Sequence, residues 1–212
     1  MNPMRHDATS ELFGYWNRLR GTRAAPERKE ITPAPMRSYL ADTFILQASG
    51  TSEPRFRLAG TRICSIYGRE LKGLSFASLW HTRDKNTISR LVKNSMTSKS
   101  VVQLNYEGRS ARGRKVLLKL LLLPLASEAN EQHLMGMITA IGRPFWLESD
   151  AIVENRIQSV SIIDPRNQVV PGIDPIHARM EAAASVPLPS SRTIVSRKVG
   201  HLRVFDGGKI TE

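Results

Sequence analysis

The sequence predicts an α+β domain: a five-stranded antiparallel sheet with helices on one face, an N-terminal helix before it and a mostly disordered tail after it. Three observations carry the prediction. Two strand-like runs open the domain and three hairpin-linked strand-like runs close it, an order that makes the sheet mainly antiparallel. The middle, Gly60 to Phe76, carries glycine stops at Gly68 and Gly73, which limits it to short helical turns. One longer amphipathic helix follows, with Ile88, Leu91, Val92 and Met96 on one stripe.

Taken in order, Ser10 is a candidate cap for a first helix whose apolar face is Leu12, Tyr15, Trp16 and Leu19, ended by Gly21. One small domain does not obviously cover that stripe, so the helix is expected to pack on the sheet and to help form a homodimer. Pro26, Pro33 and Pro35 make residues 22–38 an extended connector. Phe44-Ile45-Leu46 reads as the first strand, and Arg55-Phe56-Arg57-Leu58 as the second, with one wet face. A short helix holds Ile63, Ile66 and Tyr67, and a second short turn holds Arg69-Glu70-Leu71. Asp84 is the expected cap of the longer helix. Val101–Tyr106, Val116–Leu123 and Leu134–Ile141 are the last three strands, joined by loops at 107–115 and 127–132. Gly136 inside a strand calls for a bulge or a close backbone approach.

The domain boundaries that follow are 1–39 for the helix and connector, 40–147 for the main domain, 148–164 for a C-terminal extension and 165–212 for the tail. Prolines at 165, 171, 175, 187 and 189 break every window of that tail. Residues 194–208 turn strand-like again, with His201, Leu202, Val204 and Phe205 before an Asp-Gly-Gly stop, and this segment suits addition to a sheet edge.

The chain has 212 residues and a formal net charge of +12, which attracts acidic proteins, nucleic acid or anionic lipid without choosing among them. One cysteine, Cys64, excludes an intramolecular disulfide and a multi-thiolate metal site, and points to a reducing cytoplasm. The N-terminus lacks the apolar segment of a secretory leader. The longest apolar run, Val116 to Leu125, contains Lys119 and Pro124 and falls far short of the ~20 residues that span a membrane.

Together these residues resemble a family. Ile66-Tyr67-Gly68-Arg69-Glu70-Leu71-Lys72-Gly73-Leu74-Ser75-Phe76 is similar to the middle of a PAS sensor domain. The leader Tyr15-Trp16, Leu19-Arg20-Gly21, Arg23, Pro26, Arg28, Ile31 and Pro33 resembles that of a proteobacterial single-PAS family, formerly a domain of unknown function. So do Gly60-Thr61-Arg62-Ile63-Cys64, Leu79-Trp80 and Leu123-Pro124-Leu125, and the likeness extends over about residues 11–147. The resemblance implies a stand-alone regulator that docks proteins or a ligand, with links to motility and cell-cycle control. Such domains sense or dock; they rarely catalyse.

If the fold is of this kind, Phe56, Leu58, Ile66, Tyr67, Leu79, Trp80, Leu91 and Val102 line the space between sheet and helices. Their bulk favours a filled interior over a ligand cavity. Cys64 lacks the neighbours of a flavin-attacking cysteine and reads as a buried structural residue, and His81 at the helix start reads as a surface residue, not a haem ligand. No cofactor, no metal and no catalytic constellation is expected. The sharpest cluster of charge is Arg109, Arg112, Arg114 and Lys115, which suits either a phosphate grip or a solvated hairpin tip. The expected function is therefore a non-enzymatic cytoplasmic regulator that works through protein–protein contacts in a signalling pathway. The alternatives are nucleic-acid binding by the basic surface and small-ligand sensing. Helix-turn-helix and zinc-finger spacings are absent, so nucleic acid is not favoured.

Overall fold

The computed structural model describes residues 8–126, 131–163 and 165, and the backbone of 196–199 and 202–205. The chain divides into two units, 1–169 and 170–212. In the first, helix α1 (Ala8–Arg20) and three three-residue helical turns lead into strands β1 (Thr43–Ser49) and β2 (Arg55–Ala59). Helices α2 (Thr61–Tyr67) and α3 (Thr82–Ser98) follow, then β3 (Val101–Ser110), β4 (Lys115–Pro124), β5 (Glu131–Ile141) and β6 (Ile152–Ile163). The sheet has six strands in the order β2-β1-β5-β4-β3-β6, every pair antiparallel.

The sixth strand is the main difference from the sequence prediction of five. Residues 152–163, read as an extension, pair with the whole of β3 from Val101↔Ile163 to Ser110↔Ile152. The register shifts twice along that pairing, between Asn105 and Tyr106 and between Arg109 and Ser110. Each irregularity breaks the period-two alternation by which a strand is read from sequence.

The helices inside the domain lie on one face, as expected, and the N-terminal helix covers the other. On the first, α2, α3 and the turn Phe76–Leu79 cover Phe44, Leu46, Phe56, Leu104, Leu118, Leu120 and Leu122. On the second, α1 sets Leu12, Tyr15 and Trp16 against Leu121, Leu123, Leu125, Met135 and Met137. Burial from both sides explains why β4 is an almost unbroken apolar run. The Trp16 indole N–H donates to the Pro124 carbonyl at 2.8 Å, and the Tyr15 hydroxyl accepts from Thr32 N–H at 2.9 Å, so α1 and the connector are pinned by polar bonds too. The stripe packs on the chain's own sheet, as expected, with Leu12 and Trp16 fully buried and Leu19 half-buried, so little of it is left for a partner copy.

Several local expectations shift. Ser10 falls inside α1, and the connector contains helical turns at Arg28–Glu30 and Ala34–Met36. The cap of α3 is His81, whose Nδ1 accepts from Arg83 N–H at 3.2 Å; Asp84 instead accepts from Ile157 N–H at 3.0 Å. No helix forms over Arg69–Leu71: the Glu70 carboxylate holds that turn by accepting from the N–H groups of Leu71 and Lys72, at 3.1 Å each. The loop expected at 107–115 is only a four-residue turn, because β3 runs to Ser110 and β4 begins at Lys115. Gly68 does end α2 in the left-handed region, at φ 62°, where a Cβ would also meet the Ala151 methyl at 2.7 Å. Gly136 is the close approach that its place in a strand called for: a Cβ there would overlap the ring of Phe44, its cross-strand neighbour.

In the second unit, β7 (Ser196–Val199) and β8 (Leu202–Phe205) form an antiparallel hairpin, with Ser196 opposite Phe205 and Val199 opposite Leu202. Of the tail residues singled out by sequence, Leu202, Val204 and Phe205 are on β8, and His201 lies outside the described residues. The expectation of disorder over most of 165–212 also falls outside them.

Candidate functional site

The space between sheet and helices is occupied by aromatic side chains that touch in series. Phe44 contacts Phe56 and Phe76 with ring centres 5.5 and 5.7 Å apart. Phe76 reaches Trp80 at 6.0 Å, and Trp80 reaches Tyr106 at 4.9 Å. The geometries are offset, edge-on or tilted, the arrangements that ring quadrupoles favour. Seven of the eight predicted lining residues meet here. Phe56, Ile66, Tyr67, Leu79, Trp80 and Val102 are buried in one cluster, and Leu91 packs against its rim. Leu58 does not join them: it pairs with Ile45 on the opposite face of the sheet and is 51% exposed. A register shift between Ile45 and Leu46 lies between Phe56 and Leu58, so the simple alternation that grouped the two fails.

The sequence reading did not assign Phe44, Phe76, Tyr106 or Asn155 to this interior. The first three carried a signal, as bulky residues on runs already recognised as strand or turn. Asn155 carried none, since it comes from the unexpected strand β6. Its amide Nδ2 donates to the Tyr67 hydroxyl at 2.9 Å, and that hydroxyl lies 3.3 Å from the hydroxyl of Tyr106. Burial raises the pKa of both phenols, that of Tyr106 well above the ordinary tyrosine value. The Trp80 indole N–H and Asn155 Oδ1 are buried beside this knot without a protein partner.

The basic turn is less cationic than its sequence. Arg109 Nε donates to Glu107 Oε1 at 2.6 Å, and Lys115 Nζ lies 3.3 Å from the other oxygen of the same carboxylate. Arg109 and then Lys115 thereby hold the Glu107 carboxyl below its ordinary pKa. Arg114 lies 3.7 Å from Asp150 Oδ2 and stacks over the Trp146 ring at 5.8 Å. Arg112, at the exposed tip, has no ion-pair partner among the described residues. The four residues are neighbours, as the sequence suggested, but three of them face carboxylates of their own domain.

Cys64 is half-buried, not buried, with its Sγ 4.0 Å from the Ala59 carbonyl and 3.9 Å from Glu70 Oε1. His81 is bound into the junction of α3 and β6, where its backbone N–H donates to Asn155 O at 2.9 Å. Among the described residues no group of three or more His, Cys, Asp or Glu is placed to hold a metal ion. No described helix is long and apolar enough to cross a membrane. An open groove of about 620 Å³ runs beside α3, lined by Ser75, Ser78, Lys85, Ser89, Arg90 and Lys93 among others.

Solved structures to which the chain is similar include the LOV protein of Rhodobacter sphaeroides, 13% identical. That match covers 50% of this chain and 64% of the other, with a TM-score of 0.38. The second PAS domain of Drosophila melanogaster Cycle, with bound ethylene glycol, is 18% identical over 46% of this chain and 99% of its own, at a TM-score of 0.35. An RNA-binding light-oxygen-voltage receptor is 14% identical over 58% of this chain and 36% of its own, at 0.38. None of the curated proteins matches. The family model described as PAS domain matches residues 4–139, which span α1, the connector and the sheet through most of β5. With that match over more than half of its length, the chain belongs to the PAS domain family.

Proposed function

We propose that this chain is a non-enzymatic regulator that acts through contacts with other proteins. Membership of the PAS family supports a regulatory or sensor role in general. The observation that carries the finer reading is the packed interior. The row of rings from Phe44 to Tyr106 takes up the space in which a sizeable guest would sit, so the surfaces of the domain are left to do the work. On this reading the protein acts in the cytoplasm, in a pathway such as motility or cell-cycle control, the settings implied by the resemblance of its leader and its Gly-Arg-Glu-Leu turn.

The experiment is affinity capture with the full chain from its native cell, at low and at high salt. A protein partner held at both salt concentrations supports the proposal. Nucleic acid released steeply as salt rises, with no protein partner, would replace it with the nucleic-acid reading. The intramolecular pairing of Arg109, Arg114 and Lys115 weighs against that outcome. A second reading, small-ligand sensing, draws on one observation: the buried Trp80 N–H and Asn155 Oδ1 are unpartnered, and a small hydrogen-bonding guest would satisfy both.

A further inference from the structure

We propose that the open part of the β6 edge, residues 158–163, is an interface with a second copy of this chain. The two β6 strands would pair antiparallel across a two-fold axis at Ser161. The two ends of the sheet differ. The β2 edge is closed by its own chain: Phe56 N–H donates to Leu74 O at 3.0 Å and Gly73 N–H to Phe56 O at 2.7 Å, while Arg55 and Arg57 add charge. The first half of β6 is closed as well. His81 N–H donates to Asn155 O, Trp80 bridges Asn155, and Ile157 N–H donates to Asp84 Oδ2.

From Gln158 onward no described residue outside β3 hydrogen-bonds to the strand's backbone. The segment there reads Gln-Ser-Val-Ser-Ile-Ile, with no charge, proline or glycine. Val160 is 36% and Ile162 59% exposed, both on the side of the sheet that faces α3. Proteins commonly blunt an exposed edge with charge, proline or a cover, because its free N–H and C=O groups template another strand. This segment has none of these devices and has the β-branched pattern that pairs well.

A second copy fits it for three reasons. About an axis at Ser161, Val160 of each chain lies opposite Ile162 of the other, and Ser159 opposite Ile163. The exposed apolar pairs then cover one another and no like charges face across the paired run. Pairing also ends at Ile157, where Asp84 takes the edge, so the start of α3 need not move. Finally, one isologous contact uses the open edge of both copies, and the closed β2 edge stops growth at two. A contact of six residues is small, below about 1,200 Å² in total, so a weak, concentration-dependent dimer is expected. Two chains of charge +12 repel, so this dimer should strengthen with salt as that repulsion is screened.

Sedimentation velocity of the full chain over a concentration series, at low and high salt, tests the proposal together with two variants. A mass rising toward twice 23.7 kDa, more readily at high salt, is expected. Val160→Lys with Ile162→Lys should abolish it with the melting temperature unchanged, since both side chains already face water. In a Cys64→Ser background, Ser161→Cys should cross-link to itself under mild oxidation, and Leu117→Cys, exposed on the same sheet face but on β4, two strands in from that edge, should not. A wild-type chain that stays monomeric in high salt would overturn the proposal. So would a double-lysine variant that still dimerises, or cross-linking that is equal at the two sites.

Discussion

Gly136 shows how far one residue can determine this fold. It faces Phe44 across the β1–β5 pairing, and the ring occupies the place where any Cβ would stand. Gly136→Val should therefore destabilise the domain by about 2–3 kcal/mol, the usual cost of overfilling a packed site, as read from denaturant midpoints. Leu58→Ala is the contrast: that side chain is half in water, so the change should stay within roughly 0.5 kcal/mol. The tyrosine pair gives a pH prediction. Folding raises the pKa of Tyr67 and Tyr106, so the folded state holds their protons more tightly than the unfolded chain does. That contribution is fully present below the unfolded tyrosine value near ~10 and is lost as pH climbs above it. Tyrosinate absorbance followed alongside circular dichroism should show these two phenols ionising only as the fold opens. Two tyrosinates formed at high pH with the fold intact would contradict this. The residues that make the knot were unevenly legible. Tyr67 could be placed from the Gly68 stop beside it, whereas Asn155 is a polar residue on a strand whose bulges hide its alternation.

Among the elements, α1 changes the reading most. Its stripe of Leu12, Tyr15 and Trp16 was legible as an apolar face that packs on the sheet, but which face of the sheet it covers, and how little of it is left for a second chain, was not. The answer was latent in β4 and β5. Leu120 to Leu123 are all buried, which requires a layer on each face of the sheet, and α2 and α3 supply only one. Trp16→Ala should cost about 3–5 kcal/mol, because it empties a fully buried site and removes the bond to the Pro124 carbonyl. By the same argument, a chain lacking residues 1–21 should melt lower and aggregate, since Met135, Met137, Leu121 and Leu123 would face water. Were the shortened chain a well-behaved monomer with an unchanged melting temperature, the covering role of α1 would be wrong. The strand order and the glycine stops were legible because local chemistry decides them. Strand β6 was not, because its partner β3 lies more than 40 residues back in the sequence and nothing local announces the pairing.

At the scale of the whole molecule, the charge of +12 and the packed interior point in different directions. Charge favours anionic partners at long range, but the one sharp basic cluster is largely paired with Glu107 and Asp150. The interior is packed with aromatic rings and holds a polar knot at Trp80 and Asn155. On the function proposed above, recognition belongs to the surface and the interior is structural. Native mass spectrometry of the full chain purified from its own cell, with its absorption spectrum recorded, tests this most directly. The account predicts a chain at its sequence mass, alone or with protein partners, and no absorption band beyond that of its aromatic residues. A small molecule retained in one-to-one proportion, or a visible band that elutes with the protein, would contradict it.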